Sequence, residues 1–337
     1  MRYGLPYRGS KSRIAPEIAA HLPSGAVFYD LFCGGCAVTH AAMLSGRWER
    51  FVVNDLQGDM AELFVNAANG KYRNEDRWIS REDFLSLKDA DAYVRVCWSF
   101  GNNGKDYLYG RGIEPYKRAL HHAVVFGDFA PLSELCPEVV DSCRAALSGV
   151  EERSARRVEI GRAVVRWLKA NGTPEMLLNN PLYKSCRFKQ GRLESLERLE
   201  SLQSLESLER LESLERLERL EISIQDYRDV KIKPCSVIYC DIPYKGTDGY
   251  CGNKKGESGF DHDAFYDWCC GQDELVLVSE YDMPGDRFTE VWRKKHVQSL
   301  CAVKTSEVCE RLFVPTRQLG KYRDMMSAQK GLKLFES

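Results

Sequence analysis

The sequence contains no apolar run near the ~20 residues that a membrane span requires. Its opening, Met1 to Arg13, is basic and polar with no apolar core, so no export signal is expected. It also lacks a disulfide framework. The thirteen cysteines are odd in number and irregularly scattered, which fits free thiols in a reducing cytoplasm. Cys33 and Cys36 form a Cys-x-x-Cys pair, but no second such pair and no His-x-x-x-His partner accompanies it. No metal site is therefore expected, and both cysteines read as small loop residues. Strong net charge is missing too, at −1 over the chain.

What is present describes a globular protein. The 337 residues suffice for one large domain or two ordinary ones, and 44% apolar with 29% charged residues supports a real core. The near-zero charge hides two opposed segments. Leu193 to Glu221 carries nine Glu and four Arg, a net of −5. Glu151 to Arg192 carries ten Lys or Arg and four Glu, a net of +6. The basic segment is either a phosphate-contacting face or a solvated helix face.

The stretch Val237-Ile-Tyr-Cys-Asp-Ile-Pro-Tyr244 organises the rest. A β-branched and aromatic run stops at Asp241, and Pro243 forbids a continued ladder. This is a buried strand that delivers a carboxylate, a fixed turn and a ring to the crevice beyond a parallel sheet. Earlier, Ala26 to Asp30 reads as a strand, Leu31-Phe-Cys-Gly-Gly-Cys36 as a glycine turn and Ala37 to Leu44 as a helix. A second strand, Phe51 to Asp55, ends in an acid placed to accept ribose hydroxyls. Ser10 or Ser12 is expected to cap a helix through Ile14, Ile18 and Leu22. Arg81 to Val96 and Glu151 to Ala170 read as helices. Trp98 to Gly112 mixes rings, glycines and basic groups, which suits either a nucleic-acid surface or a loop anchored by buried aromatics. His121 and His122 read as helix-surface or core residues.

From Leu193 to Leu220 leucine recurs at every third position. Composition favours a helix roughly 40 Å long, but a period of 3.0 winds the apolar stripe around it. A short solenoid competes with that reading. Ile222 to Tyr227 is expected to be a strand ending at Asp226. Phe260 to Cys270 reads as a helix. Leu275 to Ser279, Val297 to Val303 and Arg311 to Val314 read as further strands.

Asp241-Ile-Pro-Tyr244 resembles the Asp-Pro-Pro-Tyr motif of adenine-N6 DNA methyltransferases. Pro6 to Lys11, Asp30 to Cys36, Asp55, Asp226, Asp241 to Tyr244 and Glu307 to Val314 follow the order seen in Dam-like, α-class members of that family. The resemblance implies an α/β fold: a Rossmann-like methyltransferase sheet with helices on both faces and a mainly helical inserted target-recognition domain. It places the catalytic domain at residues 1–90 and 222–337, the insert at 91–192 and the leucine repeat at 193–221.

It also implies S-adenosylmethionine as donor, without a metal, and adenine N6 in double-stranded DNA as acceptor. The catalytic residues would be Asp241, Ile242, Pro243 and Tyr244. The cofactor would be held by Tyr7, Lys11, Asp30, Phe32, Gly34, Asp55, Asp226 and Asp241. Two positions depart from the family pattern. Cys36 stands where many relatives have a glycine, and Ile242 where they have a first proline. The second change is mild, because the group needed there is a backbone carbonyl. Cytosine-N4 methylation, or a non-catalytic role built on the leucine repeat, are the competing functions. A cytoplasmic protein of prokaryotic or phage type is expected, as a monomer or a repeat-mediated dimer, with no membrane partner.

Overall fold

The computed structural model describes residues 3–6, 10–73, 75–173, 177, 179–186, 217–244, 259–301 and 304–335. Tyr7, residues 245–258 of the loop after Tyr244, and residues 193–216 of the leucine repeat lie outside the described residues. The chain divides into two compact units. One comprises Met1–Leu5, Gly9–Val65 and Ser213–Ser337, and the other Pro6–Arg8 and Asn66–Glu212.

The first unit is a seven-stranded sheet flanked by helices. Its strands are β1 (Gly25–Asp30), β2 (Trp48–Asn54), β3 (Leu220–Ser223), β4 (Ser236–Asp241), β5 (Leu275–Glu280), β6 (Phe288–Cys301) and β7 (Lys304–Pro315). Their order is β3-β2-β1-β4-β5-β7-β6. The first five run parallel to one another, and β7 runs antiparallel to both β5 and β6. The central strands are mostly apolar and buried, with polar residues near their ends, as suits strands covered on both faces. Val27, Tyr29, Leu31, Ile238, Cys240, Val276 and Val278 fill one core cluster with Phe265 and Cys269 from the helix His262–Gly271.

Three local expectations are corrected. Neither Ser10 nor Ser12 caps the first helix, which starts at Ala15 with a proline in its first turn and no side-chain cap. The Ser12 hydroxyl instead accepts the Tyr3 N–H at 2.8 Å. The strand expected to end at Asp226 ends at Ser223, so Leu220 and Glu221 of the repeat belong to β3. The chain turns there because Asp226 accepts the Arg228 N–H at 2.9 Å and pairs with its guanidinium. The helix expected over Arg81 to Val96 is two helices, Arg81–Leu87 and Ala92–Cys97. Ser80 and Asp83 form a capping box at the first, and Asp91 caps the second.

The second unit is mainly helical, with longer helices at Glu114–Val125, Val140–Leu147 and Arg153–Asn171. Trp78 stacks on Tyr109 at 5.6 Å between centroids and meets Trp98 edge-on at 5.1 Å. Tyr72 stacks on Tyr93 at 5.0 Å. Trp98, Tyr107 and Tyr109 are buried, so most rings between Trp98 and Gly112 anchor an irregular loop, while Phe100 is exposed. His121 is buried among these rings, and its Nε2 meets the Asp76 carbonyl at 2.9 Å. Burial lowers its pKa to about 4, so it is neutral. These contacts place Trp78, Phe84 and the segment after Val65 with the helical unit rather than with the sheet. Part of the basic character of residues 151–192 is structural: Arg156 donates to the carbonyls of Ala123, Val124 and Val150.

Candidate active site

Strand register decides which acids meet. Residues side by side in a ladder share a face, and alternate residues return to it. Asp30 lies beside Tyr239, Asp241 beside Ser279, and Ser279 beside Leu312. Asp241 is two residues past Tyr239, and Glu310 two before Leu312. Asp30, Asp241 and Glu310 therefore emerge on one face near the carboxyl ends of β1, β4 and β5. Ile242 points to the opposite face and is buried in the core.

Lys11 joins these acids. Its ammonium lies 3.0 Å from Asp241 Oδ1 and 3.5 Å from Glu310 Oε1. It also sits 4.4 Å from the centre of the Tyr244 ring. The Tyr244 hydroxyl donates to Glu310 Oε1, and its ring meets that of Tyr281 edge-on. Side-chain exposure falls from 24% at Asp241 to 11% at Lys11 and 2% at Glu310, so Asp241 is the open end of the group. Burial pushes the Glu310 carboxyl up, while Lys11 pulls it down. Burial and the nearby Asp241 charge raise the Tyr244 phenol far beyond its ordinary value.

The glycine turn after β1 forms the adjoining wall. Gly34 N–H donates to Asp55 Oδ2 at 3.0 Å, and Gln57 N–H to Asp55 Oδ1 at 2.9 Å. Burial nevertheless raises the Asp55 pKa. Asp30 is fully buried: Thr39 donates to its Oδ2 at 2.6 Å, and its Oδ1 has no partner among the described residues. Desolvation raises Asp30 from 3.8 to about 7, with Asp241 and Asp55 adding to the rise. Phe32 packs against Tyr227, Phe260 and Phe265. Asp226 stands at a more exposed turn, where Arg228 holds its carboxyl below the usual range.

The N-terminal segment rides on the same turn. Leu5 N–H donates to Gly35 O at 2.7 Å, and Gly4 N–H to His40 Nδ1 at 3.0 Å. Gly4 has a φ of +66°, and a Cβ there would lie 2.3 Å from Gly35 O, so only glycine fits. Cys36, the departure from the family glycine, adopts φ 55° and ψ 31°, the left-handed conformation that glycine favours.

Sequence reasoning singled out Lys11, Asp30, Gly34, Asp55 and Asp241, and the fold brings them together. It missed three contributors. Glu310 lies in the Glu307 to Val314 segment that follows the family order, but there it is one polar residue among several, with no role assigned by the resemblance. Asn54 ends β2 and ties two turns: its amide donates to Leu31 O at 3.2 Å and Gln225 O at 3.0 Å. His262 Nε2 lies 3.0 Å from Pro243 O and fixes the Asp241–Tyr244 turn. Among the described residues no three His, Cys, Asp or Glu side chains gather as a metal ion would require.

A seven-stranded sheet in this order, with its acids at the strand ends beyond a glycine turn, is consistent with a Rossmann-like methyltransferase fold. Residues 7–107 match the family model of D12 class N6 adenine-specific DNA methyltransferases. The chain is also similar to the retron Ec67 DNA adenine methylase of Escherichia coli, at 22% identity over 139 residues, which is 37% of this chain and 46% of that protein. The chain thus spans about half the length of that curated relative. Both matches support a Dam-like DNA adenine methyltransferase.

Proposed function

We propose that this protein transfers a methyl group from S-adenosylmethionine to N6 of an adenine turned out of double-stranded DNA. The observation that carries the reading is the acid-lined face at the ends of β1 and β4. Burial makes ionisation of Asp30 and of Asp55 costly, the charges of Asp241 and Asp55 add to the cost at Asp30, and Asp30 Oδ1 lacks a partner among the described residues. A cofactor that carries a sulfonium and an ammonium fits such a pocket, since it supplies the missing positive charge. Asp30, Phe32 and Gly34 would hold its methionine part, with Tyr7 and Lys11 toward the amino-acid end. Asp55 would take the ribose hydroxyls through the lone pairs that its two backbone contacts leave. The turn around Asp226 would take the adenine ring.

When bound, the cofactor supplies a methyl group that is already electrophilic. The protein's own task is to place an amino nitrogen in line with it and to stabilise the positive charge that grows there. Asp241 and the Ile242 carbonyl accept the two amino hydrogens, which localises the nitrogen lone pair. Pro243, with its carbonyl facing His262, stiffens the turn that carries both acceptors. Tyr244 offers a ring for the extruded base. Extrusion costs a few kcal/mol, and contacts from the expected target-recognition insert at 91–192 offset that cost.

The test is the Asp241→Ala variant. A preorganised group aimed at developing charge contributes roughly 10²- to 10³-fold in rate. Asp241→Ala should therefore abolish detectable transfer to unmethylated duplex DNA while still binding the cofactor in calorimetry. Nucleoside analysis of DNA treated with wild-type protein should give N6-methyladenine. Undiminished transfer by the variant would remove Asp241 from the reaction, and N4-methylcytosine would replace adenine as acceptor.

A further inference from the structure

The reacting end of the site contains two carboxylates and one ammonium. Asp241 and Glu310 share Lys11 at 3.0 and 3.5 Å, and no other cationic contact of either acid is seen among the described residues. The three groups together carry one net negative charge. Lys11 alone beside Asp241 would neutralise it, leaving little charge to stabilise a cationic amino nitrogen. The second acid restores the imbalance from behind, in the least exposed position of the three. It also fixes the ring of Tyr244, whose hydroxyl it accepts.

We propose that Glu310 is a positioning residue for methyl transfer: it shares the Lys11 ammonium with Asp241 and locks the Tyr244 ring, which leaves the cluster with a net negative charge facing the incoming amino group. The inference rests on the methyltransferase reading above, and it gives a role to one residue of the Glu307 to Val314 segment. Glu310 does not touch the substrate. It acts through Lys11, by sharing its charge, and through Tyr244, by holding its hydroxyl. The sheet makes this possible, because the antiparallel β5–β7 register brings Glu310 to the face on which parallel β4 delivers Asp241.

Glu310→Gln separates the two roles. The amide oxygen still accepts the Tyr244 hydroxyl, but the charge is gone and Asp241 no longer shares Lys11 with a second carboxylate. The assay is single-turnover and steady-state transfer of labelled methyl from S-adenosylmethionine to plasmid duplex prepared from a host without adenine methylation. The expected result is a fall in kcat of about 10- to 100-fold, with KM for cofactor and DNA within about threefold. A role only in stability would lower the melting midpoint and leave kcat per folded molecule unchanged, and that outcome overturns the inference.

Two further variants keep the test sharp. Lys11→Gln combined with Glu310→Gln returns the cluster to one net negative charge, so kcat at saturating S-adenosylmethionine should recover above that of Glu310→Gln alone, while the cofactor KM rises with the loss of Lys11. No recovery in a folded double variant saturated with cofactor overturns the charge argument. Glu310→Asp keeps the charge and should hold kcat within about tenfold of wild type. A folded Glu310→Asp protein below that level also overturns it, which decides the matter even if Glu310→Gln does not fold. Absence of any transfer by wild-type protein refutes the methyltransferase reading itself. Normal transfer by wild type and Glu310→Gln alike refutes only the role of Glu310.

Discussion

Asp30→Asn should make the protein relatively more stable as pH rises. Asp30 is 2% exposed, and its carboxyl is shifted from 3.8 to about 7 by desolvation first, with one hydrogen bond from Thr39 opposing. A carboxyl whose folded pKa lies above its unfolded value binds its proton more tightly when folded. Its stabilising contribution is complete below the unfolded pKa and is lost as pH rises toward the folded one. Between 3.8 and about 7 the folded protein is increasingly penalised for an ionisation that the unfolded chain undergoes freely. Each tenfold difference in proton affinity between the two states is worth about 1.4 kcal/mol, so the cost is about 2 kcal/mol at pH 5 and about 4 kcal/mol at pH 8.

Asparagine keeps the shape and still accepts the Thr39 hydroxyl, but it never ionises. Its own unpartnered amide adds a penalty that does not change with pH. The stability difference between Asp30→Asn and wild type should therefore grow in the variant's favour by roughly 2 to 3 kcal/mol between pH 5 and pH 8. Urea unfolding of both proteins at the two pH values measures it directly, provided the m-values agree. A difference that stays constant within about 0.5 kcal/mol would show that Asp30 is ionised throughout, and the argument from burial would fail. The same linkage predicts that S-adenosylmethionine, by bringing positive charge to Asp30, binds wild type more tightly as pH rises toward 8. The variant should lack that dependence.

Two further predictions concern the turn beside it. Cys36→Gly should change stability by less than about 1 kcal/mol, because relief of left-handed strain offsets the lost thiol packing, whereas Cys36→Val should cost about 2 kcal/mol or more. Urea midpoints of the pair measure this, and equal costs would refute the strain argument. Asn54→Ala removes both carbonyl contacts and the acceptor for Gln225 N–H, so it should cost about 2–3 kcal/mol and weaken cofactor binding in calorimetry. A neutral result would mean that the turns after β1 and β3 hold without it.

The segment from Arg81 to Val96 shows where sequence patterning stops. It has continuous helical periodicity, yet Asp91 has the composition of a cap, and the cap prevails. Local signals of that kind are present in the sequence, but which one wins depends on competition with the rings it packs among. The rings of Trp98 to Gly112 pose the same problem. Exposed and buried aromatics look alike in a sequence, and only the meeting of Trp78 with Trp98 and Tyr109 assigns most of them to a core.

The sequence by itself determined the units whose causes are short-range. A β-branched run stopped by Asp241 and Pro243 must be a strand that ends in a turn. A strand followed by Gly34 and Gly35 must bend before its helix. Those constraints act within a few bonds, so order along the chain sufficed to find the carboxylates at the strand ends. The tertiary structure alone decided their company. Lys11 stands far from Asp241 and Glu310 along the chain, and only the strand register, in which a slip of one residue turns a side chain to the opposite face, puts one ammonium between two acids. Burial, and with it the cost of every charge in the site, is likewise a property of the assembled sheet, because desolvation depends on what the whole fold places around a group.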